Sequence, residues 1–304
     1  MNLAPIAIFA YNRPIHLERV LISLQQNELF GSSKIYVFVD GPKNNNDVKK
    51  ITQVNKILNN YLKGLNFEII QKNMNIGLSK SIVGGINFIF EVEGHNRIIV
   101  LEDDIVVNKN FLKFMNFALD HFENKKSVWH IGGWQYPIDF KNNKENYLFF
   151  KYMNCWGWGT WKNRWSFFEK NPKSLITQFD MRMIKKFNYD NSHNFFSQIL
   201  GNYENKIDTW AIFWYSTIFL NGGLCFYPRK TLCHNIGTDG EGTHRQILKI
   251  GTSFEDYEVL ETDFKEIKIY EKNNDRSDLI NYFKSINKVS LASKIVNKIK
   301  LFLK

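Results

Sequence analysis

Three consecutive acids, Glu102-Asp103-Asp104, follow directly on Arg97-Ile98-Ile99-Val100-Leu101, a run that reads as a buried strand. Carboxylates gathered at the end of a buried strand repel one another, which is costly unless a cation or a positively charged ligand sits among them. Hard oxygen ligands of this kind suit Mg²⁺ or Mn²⁺ carrying a phosphorylated substrate. The plainer alternative is a strand that runs out into an acidic, solvated turn.

What must position these acids is legible in the first half of the chain. Pro5 to Ala10 reads as an apolar strand, followed by the turn Tyr11-Asn12-Arg13-Pro14 and a helix from Ile15 to Asn27 with Leu17, Val20, Leu21 and Leu24 inward. Lys34 to Val39 is a second strand that stops at Asp40-Gly41-Pro42. A helix from Asp47 to Leu62 turns Val48, Ile51, Val54, Ile57, Leu58 and Tyr61 inward, and Asn66 to Ile70 is a short strand. The loop Asn73 to Leu78, a helix from Ser79 to Glu91, the acid-tipped strand and a helix from Asn110 to Phe122 complete the alternation. Such an order implies an α/β fold with a mostly parallel sheet covered by helices. Ligands collect at the carboxyl ends of the strands in such sheets. Three of those ends carry chemistry here: Asn12-Arg13, Asp40 and the acid triplet.

The second half alternates less regularly. Val128 to Gly133, Tyr147 to Met153 and Leu224 to Tyr227 read as strands, and Ser192 to Tyr203 and Asp208 to Leu220 as helices. Cys155-Trp156-Gly157-Trp158-Gly159-Thr160-Trp161 is too rich in Gly and Trp for an ordinary helix, and 229–246 reads as a loop. All eight tryptophans fall between Trp129 and Trp214, which points either to a surface for a ring-shaped ligand or to an aromatic core. The 304 residues carry neither an internal repeat nor a low-complexity linker, so 1–275 read as one domain with two halves, 1–125 and 126–275, followed by a C-terminal extension at 276–304.

Net charge is +10, and from Leu279 to Lys304 there is no acid at all while six lysines occur. This basic, amphipathic end suits either the surface of an anionic membrane, through 285–304, or docking on the protein's own core. Nucleic acid is not an expected partner, because no recognition motif accompanies the lysines. Three cysteines without metal-type spacing suggest free thiols in a reducing compartment. With no signal-peptide pattern at the start and no run of about 20 apolar residues, the expected location is the cytoplasm, including the inner face of its membrane.

Taken in order, Phe9-Ala10-Tyr11-Asn12-Arg13-Pro14, Val39-Asp40-Gly41-Pro42, Asn75-Ile76-Gly77-Leu78, Glu102-Asp103-Asp104 and Trp156-Gly157-Trp158-Gly159-Thr160-Trp161 resemble the GT-A glycosyltransferases of the bacterial family-2-like kind. The Glu-Asp-Asp form is similar to the N-acetylglucosaminyltransferase I group. The resemblance covers roughly two thirds of the chain. It implies a GT-A fold and a metal-dependent, inverting transfer from a nucleotide-sugar, UDP-linked by preference, to a hydroxyl of a bacterial surface glycan such as lipopolysaccharide or capsule; the basic end adds the expectation that this glycan is carried on a lipid.

By the same resemblance Arg13 contacts the diphosphate or nucleotide, Asp40 accepts a hydrogen bond from the base, and Asn75 and Gly77 line the nucleotide side. Asp104 binds Mn²⁺ or Mg²⁺, while Glu102 and Asp103 face donor sugar and ribose. Asp208 is the general base, with helix capping as its structural alternative and Glu204 and Asp180 as weaker candidates. Trp156 and Trp158 form a wall for donor or acceptor sugar, or else pack the turn between the halves. The loop from His234 to His244 is similar to the lid that orders over the nucleotide in these enzymes, with His244 not counted as a ligand. Two rival classes are a sugar nucleotidyltransferase, which needs a glycine-rich basic loop where Tyr11-Asn12-Arg13-Pro14 stands, and a catalytically silent sugar-binding protein.

Overall fold

The computed structural model describes residues 2–237, 254 and 267–302, with side chains as far as 287. The first part alternates as expected: β1 (Ile6–Ala10), α1 (Pro14–Gln25), β2 (Ile35–Val39), α2 (Asn45–Tyr61), β3 (Phe67–Gln71), α3 (Leu78–Asn87) and β4 (Arg97–Glu102). Then come β5 (Ile105–Val107), α4 (Phe111–His121), β6 (Val128–Gly132), β7 (Tyr147–Phe150) and β8 (Trp158–Trp161). Short helices α5 (Lys162–Trp165), α6 (Pro172–Gln178), α7 (Met181–Phe187) and α8 (Phe196–Tyr203) follow. The chain continues with α9 (Ala211–Leu220), β9 (Leu224–Pro228), β10 (Cys233–Asn235) and the long α10 (Asn273–Phe302).

Strands β1, β2 and β4 are near-continuous apolar runs because they are buried on both faces. Successive side chains point to opposite faces. Ile6, Ile8 and Ala10 therefore join one core cluster and Ala7 and Phe9 the other. Each such Ile or Phe, fully buried, stabilises the fold by roughly 1.5–3 kcal/mol before entropy is counted. In α2 the inward position of the first turn is taken by Asp47 rather than by the expected Val48, which is exposed.

The main sheet has eight strands in the order β3-β2-β1-β4-β8-β6-β9-β7. The quartet β3-β2-β1-β4 is parallel throughout. Beyond it, β6 and β9 are parallel while β8 and β7 run antiparallel to their neighbours. The Gly/Trp segment is thus a central strand, and its pairing with β4 joins the two expected halves into one sheet. A second ribbon, β5 with β10, leaves the main sheet directly after the acid triplet.

The C-terminal helix begins by docking. Leu279 and Phe283 are buried in the second core cluster, and Tyr282 and Phe283 pack on Tyr136. The side chains of 288–304, which hold most of the lysines, lie outside the described residues. Among the described residues no helix is long and apolar enough to cross a membrane.

Candidate active site

The strand β4 ends at Glu102, and the turn Asp103-Asp104 carries the chain into β5. Both aspartates are buried, and Arg13 bridges them. Its Nη1 donates to Asp104 Oδ2 at 2.9 Å and its Nη2 to Asp103 Oδ1. Arg13 is held there by the start of α1: it stands at the N-cap with Pro14 as the first helical residue, and its carbonyl accepts from Leu17 N–H. Tyr11 N–H donates to Asp103 Oδ2 at 3.1 Å. Arg13, Asp103 and Asp104, separated by about ninety positions in the chain, are thus brought together as the parallel quartet predicts.

The cluster holds more negative charge than positive. Burial first, then the Asp104 and Asp103 carboxylates, pushes Glu102 up to about 8. Burial likewise lifts Asp103 to about 6, although Arg13 opposes it. On Arg13 burial works downward, but the two aspartates outweigh it and hold the guanidinium more firmly protonated. Asp104 Oδ1 is buried and, among the described residues, has no hydrogen-bond partner. Gly237 lies so close that a Cβ there would stand 2.3 Å from Asp104 Oδ2, and Ile236 N–H donates to the Asp104 carbonyl at 2.8 Å. The rest of the expected lid, His244 included, lies outside the described residues.

Among the described residues no group of three or more His, Cys, Asp or Glu side chains forms a ready metal cage. A divalent cation that keeps water and substrate phosphates in its shell needs only one or two carboxylates. An orphaned carboxylate oxygen inside an under-neutralised acid cluster fits that requirement.

The second strand end is a polar hub. Asp40 is buried, and its carboxylate accepts from Gly41 N–H (2.8 Å), Ile76 N–H (2.9 Å), Asn75 Nδ2 (2.9 Å) and Gly77 N–H (3.0 Å). Gly77, at the N-cap of α3 with φ of 83°, takes the left-handed conformation that glycine adopts without a Cβ clash. Asp40, Asn75 and Gly77 therefore meet at the carboxyl end of β2. A carboxylate has about four lone-pair sites, and protein donors use all of them at Asp40. A base could bond to it only by displacing one of these donors.

Asp208 is not a helix cap: α9 starts at Ala211, with Trp210 in the cap position. Its exposed carboxylate pairs with Lys170 Nζ, which also donates to Ser79 Oγ at 2.7 Å in the first turn of α3. Asp208 is thus tied to the helix that starts from the Asp40 hub. It lines a cleft of about 400 Å³ with Lys170, Asn202, Asn205 and Lys206. The weaker candidates have structural partners instead. Asp180 caps α7 by accepting from Met183 N–H, and Glu204 ends α8 paired with Lys206.

Trp158 corrects the expected sugar wall. It is fully buried in the middle of the sheet, stacked on Trp210 at 5.3 Å and on His130 at 5.2 Å, so neither ring face is open to a ligand. Trp156, half-buried and edge-on to Trp134 at 4.7 Å, keeps the wall role available. Lys170 and Ser79 escaped the sequence reading because no local pattern links them to Asp208. Asp47, described below, did leave a signal in the helix-start pattern Asn44-Asn45-Asn46-Asp47.

Residues 91–157, which include the acid triplet, match the model of a family described as glycosyltransferase family 25 (LPS biosynthesis protein). No curated protein matches the chain. Similar solved structures include residues 1–349 of S. aureus TarS, at 12% identity over 77% of this chain and 61% of that one, with a TM-score of 0.43. The mannosyltransferase PcManGT from Pyrobaculum calidifontis, in complex with GDP-Man and Mn²⁺, is 8% identical over 72% of each chain, with a TM-score of 0.40. The galactosyltransferase LgtC, in complex with donor and acceptor sugar analogues, is 12% identical over 70% of each chain, with a TM-score of 0.38. The chain spans 61% of the length of the TarS fragment.

Proposed function

We propose that this protein is a glycosyltransferase that moves a sugar from a nucleotide-linked donor, UDP-linked by preference, to a hydroxyl of a bacterial surface glycan. The observation that carries this reading is the under-neutralised cluster of Arg13, Asp103 and Asp104 at the carboxyl end of a parallel quartet, with Asp104 Oδ1 left without a partner. The match of residues 91–157 to a family described by lipopolysaccharide synthesis supports the acceptor class.

In this mechanism Asp104 would hold the divalent metal, and Arg13 grips a phosphate oxygen of the donor, setting its positive charge against the charge that grows on the leaving diphosphate. When bound, the metal supplies Lewis-acid stabilisation of that leaving group. The Asp40 hub fixes the loop through Asn75 and Gly77, which lines the nucleotide side. Glu102 and Asp103 face donor sugar and ribose. Asp208 takes the proton of the attacking acceptor hydroxyl, which makes the transfer inverting. Lys170 holds the Asp208 side chain in place against α3, and Trp156 offers an aromatic face to a sugar.

The decisive experiment is a screen of UDP- and GDP-sugars, UDP-N-acetylglucosamine among them, for nucleotide release with Mn²⁺ and with EDTA. Metal-dependent release from at least one donor is expected. Absence of both release and nucleotide binding across the panel would overturn the assignment. A nucleotidyltransferase would instead consume nucleoside triphosphate and sugar phosphate, and a silent sugar binder would release nothing.

The lysines beyond Leu279 would hold the enzyme at the inner face of an anionic membrane, where a lipid-linked acceptor lies. Vesicles containing anionic lipid should retain the full chain and release one truncated before residue 285; equal retention of the two would remove this part.

A further inference from the structure

Helix α2 opens with a cap that is put to a second use. Asn44 is the N-cap, and its Oδ1 accepts from Asn46 N–H at 3.0 Å and Asp47 N–H at 3.2 Å. Asp47 then stands at the third helical position, from which a capping box would turn its carboxylate back to the N–H of Asn44. The Asn44 N–H does help to hold the Asp47 carboxylate, but its stronger contacts lie outside the helix. Its Oδ2 accepts from Tyr11 OH at 2.7 Å and from Lys43 N–H at 3.0 Å, and its Oδ1 from Asn12 Nδ2 at 2.7 Å. The residue is buried, and Val48 beside it, the apolar residue expected to face inward, is left exposed.

The partners of Asp47 matter more than their number. Tyr11 and Asn12 form the β1–α1 loop that ends in Arg13, and Lys43 belongs to the loop that follows the Asp40 hub. Tyr11 is held from two sides: its hydroxyl by Asp47, its N–H by Asp103 Oδ2. Lys43 Nζ covers the Tyr11 ring at 5.8 Å from its centroid. The hydrogen bonds from Tyr11 and Asn12 hold the Asp47 carboxyl below its usual range. Burial and the Asp47 carboxylate push the Tyr11 phenol up to about 12. A strongly held phenol–carboxylate contact of this kind keeps one loop geometry where a free loop would sample several.

Resting on the reading of the acid cluster as a nucleotide-sugar site, we propose that Asp47 is a positioning residue that fixes Tyr11, Asn12 and thereby Arg13 for nucleotide binding. It touches neither donor nor acceptor. It acts by removing the ordering cost that the loop would otherwise carry when the diphosphate arrives.

The test is calorimetric titration of the full chain with UDP and with GDP in Mn²⁺ buffer, for wild type, Asp47→Ala, Tyr11→Phe and the double variant. Asp47→Ala should weaken binding of the nucleotide that wild type prefers by about tenfold. In the Asp47→Ala background Tyr11→Phe should cost nothing further, because its partner is already gone. A residue that merely caps α2 would lower the melting temperature, leave the affinity within twofold of wild type and show additive losses; that pattern overturns the proposal while leaving the nucleotide site standing. Wild type that binds neither nucleotide overturns both. Should Asp47→Ala not fold by circular dichroism, Asp47→Asn takes its place: it keeps the volume but removes an acceptor, with a loss of about threefold expected and unchanged affinity again overturning the proposal.

Discussion

From Ile6 to Glu102 strands β1, β2 and β4 are built mainly of aliphatic side chains with few aromatics, and their only charged residues, Arg97 and Glu102, stand at the two ends of β4. From Trp129 to Trp214 aromatics are dense, several of them inside strands and helices, and seven of the eight tryptophans are buried, Trp156 alone being only partly covered. His130 belongs to the second pattern. Stacked on Trp158, it accepts from Trp214 Nε1 at 3.3 Å and meets the Asn154 carbonyl through Nε2 at 3.0 Å. The difference teaches that residue type is a poor guide to role unless its place in the element is known. A carboxylate just past a strand end leaves the ladder and meets loop donors or Arg13, where an oxygen can stay open to a ligand. A tryptophan in mid-strand is surrounded by neighbouring strands and becomes packing.

Variants at the two regions should therefore fail in different currencies. The largest effect belongs to Asp104→Ala, which should remove metal-dependent turnover by about a thousandfold or more while leaving the fold intact by circular dichroism. Full activity of that variant in EDTA would end the metal assignment. Next comes Asp208→Asn, expected to slow transfer by about 10²–10⁴-fold with nucleotide affinity retained in titration. An unchanged rate would leave Asp208 as no more than the partner of Lys170.

Trp158→Ala should act on stability instead, costing about 3–5 kcal/mol in denaturant unfolding. Trp156→Ala should cost far less stability and act mainly on the acceptor KM. If the two variants behaved alike, the contrast between mid-strand and strand-end positions would collapse.

The smallest effect is one of pH. Burial pushes His130 down to about 3, so the folded protein favours the neutral ring. Its contribution to stability is complete above about 6.5 and declines as pH falls from there towards 3. Glu102 and Asp103 work in the opposite sense. Being raised, they favour the folded state below their unfolded values and lose that contribution as pH rises through about 6 and 8. Unfolding midpoints of wild type and His130→Gln between about pH 4 and 7 isolate the histidine. The acid decline should flatten in the variant, and parallel curves would assign the decline to other groups.

Much of the candidate site is legible in the sequence, for a local reason. Apolar runs of five or six residues that end in Asn12-Arg13, Asp40 or Glu102-Asp103-Asp104 report strand ends directly, and alternation of strand and helix makes those ends converge. The same reasoning placed Leu17, Val20, Leu21 and Leu24 of α1 in the core. It misjudged Val48, because hydrophobic periodicity gives no weight to a polar residue that earns burial through hydrogen bonds from Tyr11 and Asn12.

The sequence by itself determined the alternating α/β order and the residues standing at the strand ends, since both follow from backbone periodicity over a few positions. Only the tertiary structure decided which acids keep an open oxygen and which are saturated. Asp40 and Asp104 follow strands of the same kind, yet one meets four protein donors and the other meets Arg13 on a single oxygen. It also decided that Asp208 pairs with Lys170 and that Trp158 is buried. Those outcomes depend on contacts between residues tens of positions apart, set by the order in which strands join a sheet, and no local pattern encodes that order.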